Sequence, residues 1–149
     1  MKVEYNNLYT HFIFTTFQRL PLIGKDKRER IEKYITGIIK NYDSQLYAIY
    51  ANPEHVHFLL SRSPKISEER LADIIANSSE RFINENNLCN ENFKWQSTCS
   101  AFWVSKSQIP IVCRYIENQP NHHKVVNFQS ECEQFLKFYQ KTVKPKLGN

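Results

Sequence analysis

The stretch Asn52-Pro53-Glu54-His55-Val56-His57-Phe58-Leu59-Leu60 constrains the possible folds of this chain more than any other. Asn-Pro marks a turn, and the apolar run that follows it reads as a strand entered directly from that turn. Side chains alternate across a strand, so Val56, Phe58 and Leu60 share one face and His55 and His57 the other. The first set requires a core. The second sets two imidazoles roughly 7 Å apart along one face, close enough for their tips to converge on one cation. A His-x-His pair by itself is more often an ordinary hydrogen-bonded pair, and it gains meaning only if the chain supplies a partner elsewhere.

Composition narrows the setting. A chain of 149 residues has the size of one domain, taken here as 1–149 with a basic tail at about 141–149. Its formal net charge of +5 and high aromatic content (ten Phe, eight Tyr, two Trp) suit an unpaired nucleic acid, although most of the aromatics are expected to fill the core. Cys89, Cys99, Cys113 and Cys132 form no C-x-x-C pair, so they read as free thiols in a reducing compartment. With no signal sequence and no long apolar run, the expectation is a cytoplasmic protein without membrane association. Three glycines (Gly24, Gly37, Gly148) exclude a P-loop or dinucleotide fingerprint. Three scattered aspartates (Asp26, Asp43, Asp73) argue against a two-metal carboxylate nuclease.

Periodicity gives the order of elements. Leu8 to Thr16 reads as a strand, and Lys25 to Tyr42 as a helix with Ile31, Ile35, Ile38 and Ile39 on one face. Gln45 to Ala51 is a second strand, paired through the Asn-Pro turn to the histidine strand, which ends near Ser61-Arg62. Ser67 caps a second helix whose first turn carries Glu68 and Glu69. Phe93 to Val104 holds further strand material. Ser105 or Ser107 then caps a third helix, which tolerates Pro110 in its first turn, runs to about Gln119 and is stopped by Pro120. His122-His123 fall in a turn, and a last amphipathic helix spans about Gln129 to Lys141. The order is that of an α+β fold: a ferredoxin-like βαββαβ antiparallel sheet with an added C-terminal helix and a terminal helix. Its first and third strands would be central and its two helices would cover one face, leaving the histidines on the open one. His11 would project from the first strand onto that same face, as support for the pair or as a plain surface residue.

On the third helix, Ile109, Val112, Cys113 and Ile116 form the apolar stripe. Tyr115 and Gln119 lie side by side on its flank, where a phenol and a carboxamide could both meet a metal held by the two histidines. Without the histidine pair, Tyr115 would be a packed ring and Gln119 a solvated amide.

His55-Val56-His57 after its Pro-acidic turn resembles the HUH motif, in which U is hydrophobic. Ser78-Ser79, Trp95-Gln96, Ala101-Phe102, Ser105-x-Ser107-Gln108 and Tyr115-Ile116-Glu117-Asn118-Gln119 with His122-His123 resemble the later blocks of one HUH family, in order, from about Leu8 to Tyr139. That family is the single-tyrosine transposases of small bacterial insertion sequences (transposase A type), with their relatives associated with repetitive extragenic palindromes. Glu54 departs from the Asp of the family pattern, and Ser97-Thr98-Cys99-Ser100 from a Gly-Tyr-Gly-like stretch. The resemblance implies that Tyr115 attacks a phosphodiester of single-stranded DNA, leaving a 5′-phosphotyrosine and a free 3′-hydroxyl. It implies that His55, His57 and Gln119 bind one Mg²⁺ or Mn²⁺. It further implies DNA with hairpin ends as substrate and a homodimer, often with the tyrosine helix of one chain serving the histidines of the other.

Arg19, Arg62 and Lys106 flank the expected site and are candidate phosphate contacts, each also readable as ordinary surface charge. Two other classes remain. A histidine-triad nucleotide hydrolase would need a third alternating histidine, but that position is Leu59. A domesticated hairpin-DNA-binding protein would keep the fold without transposition, and the intact tyrosine and histidines argue against lost chemistry.

Overall fold

The computed structural model describes residues 1–4 and 6–121. The His122-His123 turn, the helix expected from Gln129, Cys132 and the basic tail lie outside the described residues. The elements are β1 (Tyr9–Thr15), α1 (Arg28–Asn41), β2 (Gln45–Ala51), β3 (His55–Ser61), α2 (Glu68–Glu85), β4 (Ser100–Val104) and α3 (Ile109–Glu117). The chain divides into two compact units, Met1–Glu117 and Asn118–Asn149, and the sheet with all seven elements belongs to the first.

The strands form one antiparallel sheet in the order β2-β3-β1-β4, so the first and third strands are central, as the βαββαβ reading requires. Both central strands are buried nearly end to end. One face carries Phe12, Phe14, Val56, Phe58 and Leu60, which pack with Ile31, Ile35 and Ile39 of α1 and Leu71, Ile75 and Ile83 of α2 into the main core. Phe12 stacks on Phe58 with ring centroids 5.3 Å apart, and Phe14 meets the same ring edge-on at 5.0 Å. Tyr34 and Phe82 stack at 3.9 Å and join α1 to α2. Ser67 caps α2 as its sequence suggests, its hydroxyl accepting from the Arg70 N–H.

Three expectations are corrected. The segment expected as strand from Phe93 pairs as one only over Ser100–Val104, with a single bridge between Trp95 and Thr16. Side chains of α2 take the missing bonds: Asn84 receives the Phe93 N–H and donates to the Phe93 carbonyl, and Glu80 receives the Trp95 N–H. The third helix ends at Glu117, because Pro120 offers no N–H and its ring would collide with the Ile116 carbonyl. Asn118 makes a turn there, and helical backbone resumes at Gln119 instead of stopping at Pro120. Finally, the histidine face is not open. The second face of the sheet offers Ile13, Ala48 and Leu59, and α3 lies against β2 and β3 with Val112 and Ile116 buried. His11, His55 and His57 are all fully buried.

Candidate active site

The turn before β3 is closed by its own backbone, the Asn52 N–H donating to the His55 carbonyl at 2.8 Å. The loop after β1 clamps it from the side. Thr16 donates its N–H to the Glu54 carbonyl at 2.9 Å, its hydroxyl lies between the Leu20 carbonyl at 2.6 Å and the Glu54 carbonyl at 3.0 Å, and the Ile23 N–H donates to the Pro53 carbonyl at 3.0 Å. Within that loop Gln18 and Arg19 take left-handed backbone angles, φ 54° and 56°. Such residues cost energy and persist only where their surroundings fix them, here by the Thr16 and Leu20 bonds on either side.

This frame holds the two imidazoles rigidly. Their ring centroids are 4.9 Å apart and their planes nearly perpendicular, at 76°. His55 Nδ1 lies 3.0 Å from a Glu54 carboxylate oxygen. A carboxylate only accepts, so His55 carries its proton on Nδ1, and Nε2 accepts from the Asn52 amide at 3.3 Å. His57 Nδ1 lies 3.0 Å from His11 Nε2. Asn52 and Glu54 read from the sequence only as turn formers. The signal that marks them is the tight turn itself, which folds both side chains onto the ring of His55. His11, readable as a surface residue, sits in the interior.

Tyr115 reaches this group from α3. Its half-buried ring meets His57 edge-on at 5.9 Å, with an interplanar angle of 71°. The histidine pair and the tyrosine of one chain therefore stand together. Gln119 lies past the end of α3, in the second unit, and is buried. The exposed Arg19 sits on the left-handed loop, and Lys106 is exposed in the short 3-10 turn between β4 and α3. Arg62 points the other way. It follows Leu60 on the helix face of the sheet, donates to the Ile66 carbonyl and lies 4.0 Å from Glu68. It lines a cavity of about 650 Å³ with Glu68, Glu69, Asp73 and Cys99. Burial, reinforced by those three carboxylates, raises the Cys99 thiol above its ordinary value, and so acidic a hollow repels a phosphate.

The donor chemistry fits a divalent cation. Each imidazole has its Nδ1 engaged by a neighbouring side chain, which makes Nε2 the nitrogen through which each would bind. At His55 the Asn52 amide would have to turn aside. Among the described residues no group of three or more His, Cys, Asp or Glu is placed to hold a metal, so a further donor from these residues would be of another type, such as a carboxamide.

The sequence profile of the family described as "Transposase IS200 like" matches residues 4–119. No curated protein matches the chain in sequence. Among solved structures, the fold is similar to that of a candidate transposase from Deinococcus radiodurans R1, with TM-score 0.63 and 20% identity over 80% of this chain and 96% of that one. It is also similar to a REP-associated tyrosine transposase solved bound to a REP hairpin, with TM-score 0.58 and 16% identity over 85% of this chain and 74% of the other.

Proposed function

The chain belongs to the IS200-like transposase family, and on that premise we propose that it cleaves and rejoins single-stranded DNA at the ends of an insertion sequence through a covalent bond to Tyr115. The observation that carries this reading is the Tyr115 ring standing against His57, two residues brought together from α3 and β3. The phenolic oxygen of Tyr115 attacks a phosphodiester phosphorus. The bond from phosphorus to the 3′ oxygen breaks, the leaving oxygen takes up a proton, and the 5′ side stays on the enzyme as a phosphotyrosine. Attack by a 3′-hydroxyl reverses the step, frees the tyrosine and rejoins the strands, so no ATP is needed.

A free phenol has a pKa near ~10, so Tyr115 needs assistance to react as the phenolate at neutral pH. His55 and His57, with Gln119 as the further donor, would hold one Mg²⁺ or Mn²⁺. When bound, the ion would polarise the phosphate and offset charge developing around it. Imidazole donors favour Mn²⁺ over Mg²⁺. Glu54 and Asn52 keep the His55 ring fixed, and the clamped turn keeps the pair at constant spacing. Hairpin DNA is the proposed ligand because the similar tyrosine transposase was solved on such a hairpin and because this chain is basic. Arg19 and Lys106 are the proposed phosphate contacts. Arg62, tied up on the acidic side of the sheet, is the weakest of the three.

The test uses labelled single-stranded oligonucleotides carrying the hairpins of the element's ends, with Mn²⁺ or Mg²⁺, resolved on a denaturing gel. A covalent protein–DNA band that requires metal and is lost in Tyr115→Phe is expected. Cleavage that survives Tyr115→Phe would refute the nucleophile. Hairpin binding with no covalent band under either metal would turn the reading to a DNA-binding protein without transposition chemistry.

A further inference from the structure

We infer that His11 is a positioning residue for the metal site: it accepts the Nδ1 proton of His57 and thereby makes Nε2 the metal-binding nitrogen of that ring. The inference rests on the metal reading of His55 and His57 proposed above.

His11 sits mid-strand on β1 with no exposure. Its direct neighbours across the sheet are apolar: Leu59 on β3 and Phe102 on β4, the latter ring 6.1 Å away. A buried imidazole costs stability unless its nitrogens are bonded, and an apolar residue would fill this position at no such cost. His11 Nε2 reaches a polar partner diagonally. His57 faces Ile13 in the register, one pleat along from Leu59, and on the same face its Nδ1 comes within 3.0 Å of His11 Nε2.

Two neutral imidazoles in that geometry share one proton between the facing nitrogens, and only two arrangements exist. If His11 Nε2 carried it, His57 would hold its own proton on Nε2 and could not bind a cation there. If His57 Nδ1 carries it, His57 Nε2 presents its lone pair, and His11 Nε2 is the acceptor. His55 already has this second arrangement, imposed by Glu54 at its Nδ1. His11 supplies the same constraint to His57, with an imidazole in place of a carboxylate. The ring tilt of 35° between His11 and His57 and their 5.2 Å centroid spacing are those of a bonded pair and not of a stack.

The test measures Mn²⁺ affinity of the full chain by loss of the free-ion electron paramagnetic resonance signal, without DNA. Wild type is compared with His57→Ala, with His11→Phe, which keeps a ring but no acceptor, and with His11→Gln, whose amide oxygen can accept. His11→Phe is expected to weaken Mn²⁺ binding about 10- to 100-fold, and His11→Gln to recover most of it. Wild type that takes up no Mn²⁺ through His57 overturns the metal reading, and the inference with it. Mn²⁺ binding that His57→Ala abolishes but His11→Phe leaves intact overturns the inference alone. Should His11→Phe fail to fold, ring-nitrogen NMR of the wild-type Mg²⁺ form decides without a variant. Protonated Nδ1 on His57 beside an unprotonated Nε2 on His11 is expected, and the opposite tautomers refute the assignment.

Discussion

Glu32 shows how a single side chain in this fold links helix to sheet. It lies on α1, yet its carboxylate receives the Ala51 N–H of β2 at 2.8 Å and the Arg28 guanidinium at 2.8 Å, while Arg28 also covers the Tyr50 ring. Burial raises its pKa above the ordinary 4.5, outweighing the lowering by the Ala51 N–H and by Arg28. The folded chain therefore holds this proton more tightly than the unfolded one. The resulting stability is fully present below the ordinary Glu value and is lost as pH rises through the raised one. Glu32→Gln keeps an oxygen for the Ala51 N–H and removes the titration. Urea unfolding across that range should show wild type losing stability relative to Glu32→Gln as pH increases, and parallel profiles would refute it. Nothing in the sequence distinguishes Glu32 from the charged residues around it on α1, because its depth comes from the strand laid against it. His11 is hidden from the sequence in the same way. Alternation along β1 places it on the right face, but alternation reports direction and not depth, and His11 is fully buried. Ser67, by contrast, was legible, since a cap depends only on residues within its own turn.

At the scale of elements, β2, β3 and both long helices are readable from period and punctuation. The departures cluster where side chains replace backbone partners. Residues 93–99 have strand-like composition, but Asn84 holds both backbone groups of Phe93 and Glu80 holds the Trp95 N–H. Trp95 then buries its ring beside Phe14 and donates to Ser79. An Asn on one helix bonding a distant backbone leaves no periodic trace, so this packing was not legible. Asn84→Ala would strand the N–H and C=O of the buried Phe93. A cost of about 1–3 kcal/mol is expected, since an unsatisfied buried polar group loses its hydration without compensation. Asn84→Asp, which keeps the acceptor for the Phe93 N–H, should cost less. Denaturant titration of the two variants tests this, and equal loss in both would show that the paired bonds are not the reason the segment leaves the sheet. The end of α3 belongs to the same class. Pro120 signals a break, but its effect falls ahead of itself, so the helix ends at Glu117 and Gln119 is not carried on the same helix as Tyr115.

For the whole first unit, the arrangement that brings the candidate site together is a sheet covered twice. α1 and α2 bury the Phe12/Phe58 face, and α3 covers the histidine face, its Val112 and Ile116 buried while Tyr115 reaches His57. One chain thus contains both the histidine pair and the tyrosine, and the family resemblance leaves open whether each tyrosine serves its own histidines or those of another subunit. The two arrangements differ in what a mixture of damaged chains can do. On the proposed mechanism, a Tyr115→Phe chain keeps its histidines and lacks the nucleophile, and a His57→Ala chain keeps the nucleophile and lacks a histidine. If each tyrosine works at its own histidines, no mixture contains an intact site, and combining the two proteins yields no covalent adduct at any ratio. If the helices exchange, a mixed dimer joins the histidines of the first to the tyrosine of the second and one site is restored. Mixing the two variants under refolding conditions, followed by the metal-dependent adduct assay on hairpin oligonucleotides, separates these cases. No adduct is expected, because the contact between α3 and the sheet is already made within the chain and buries apolar surface that exchange would have to expose. A returning adduct would mean that the chain forms a dimer in which this contact is made between subunits.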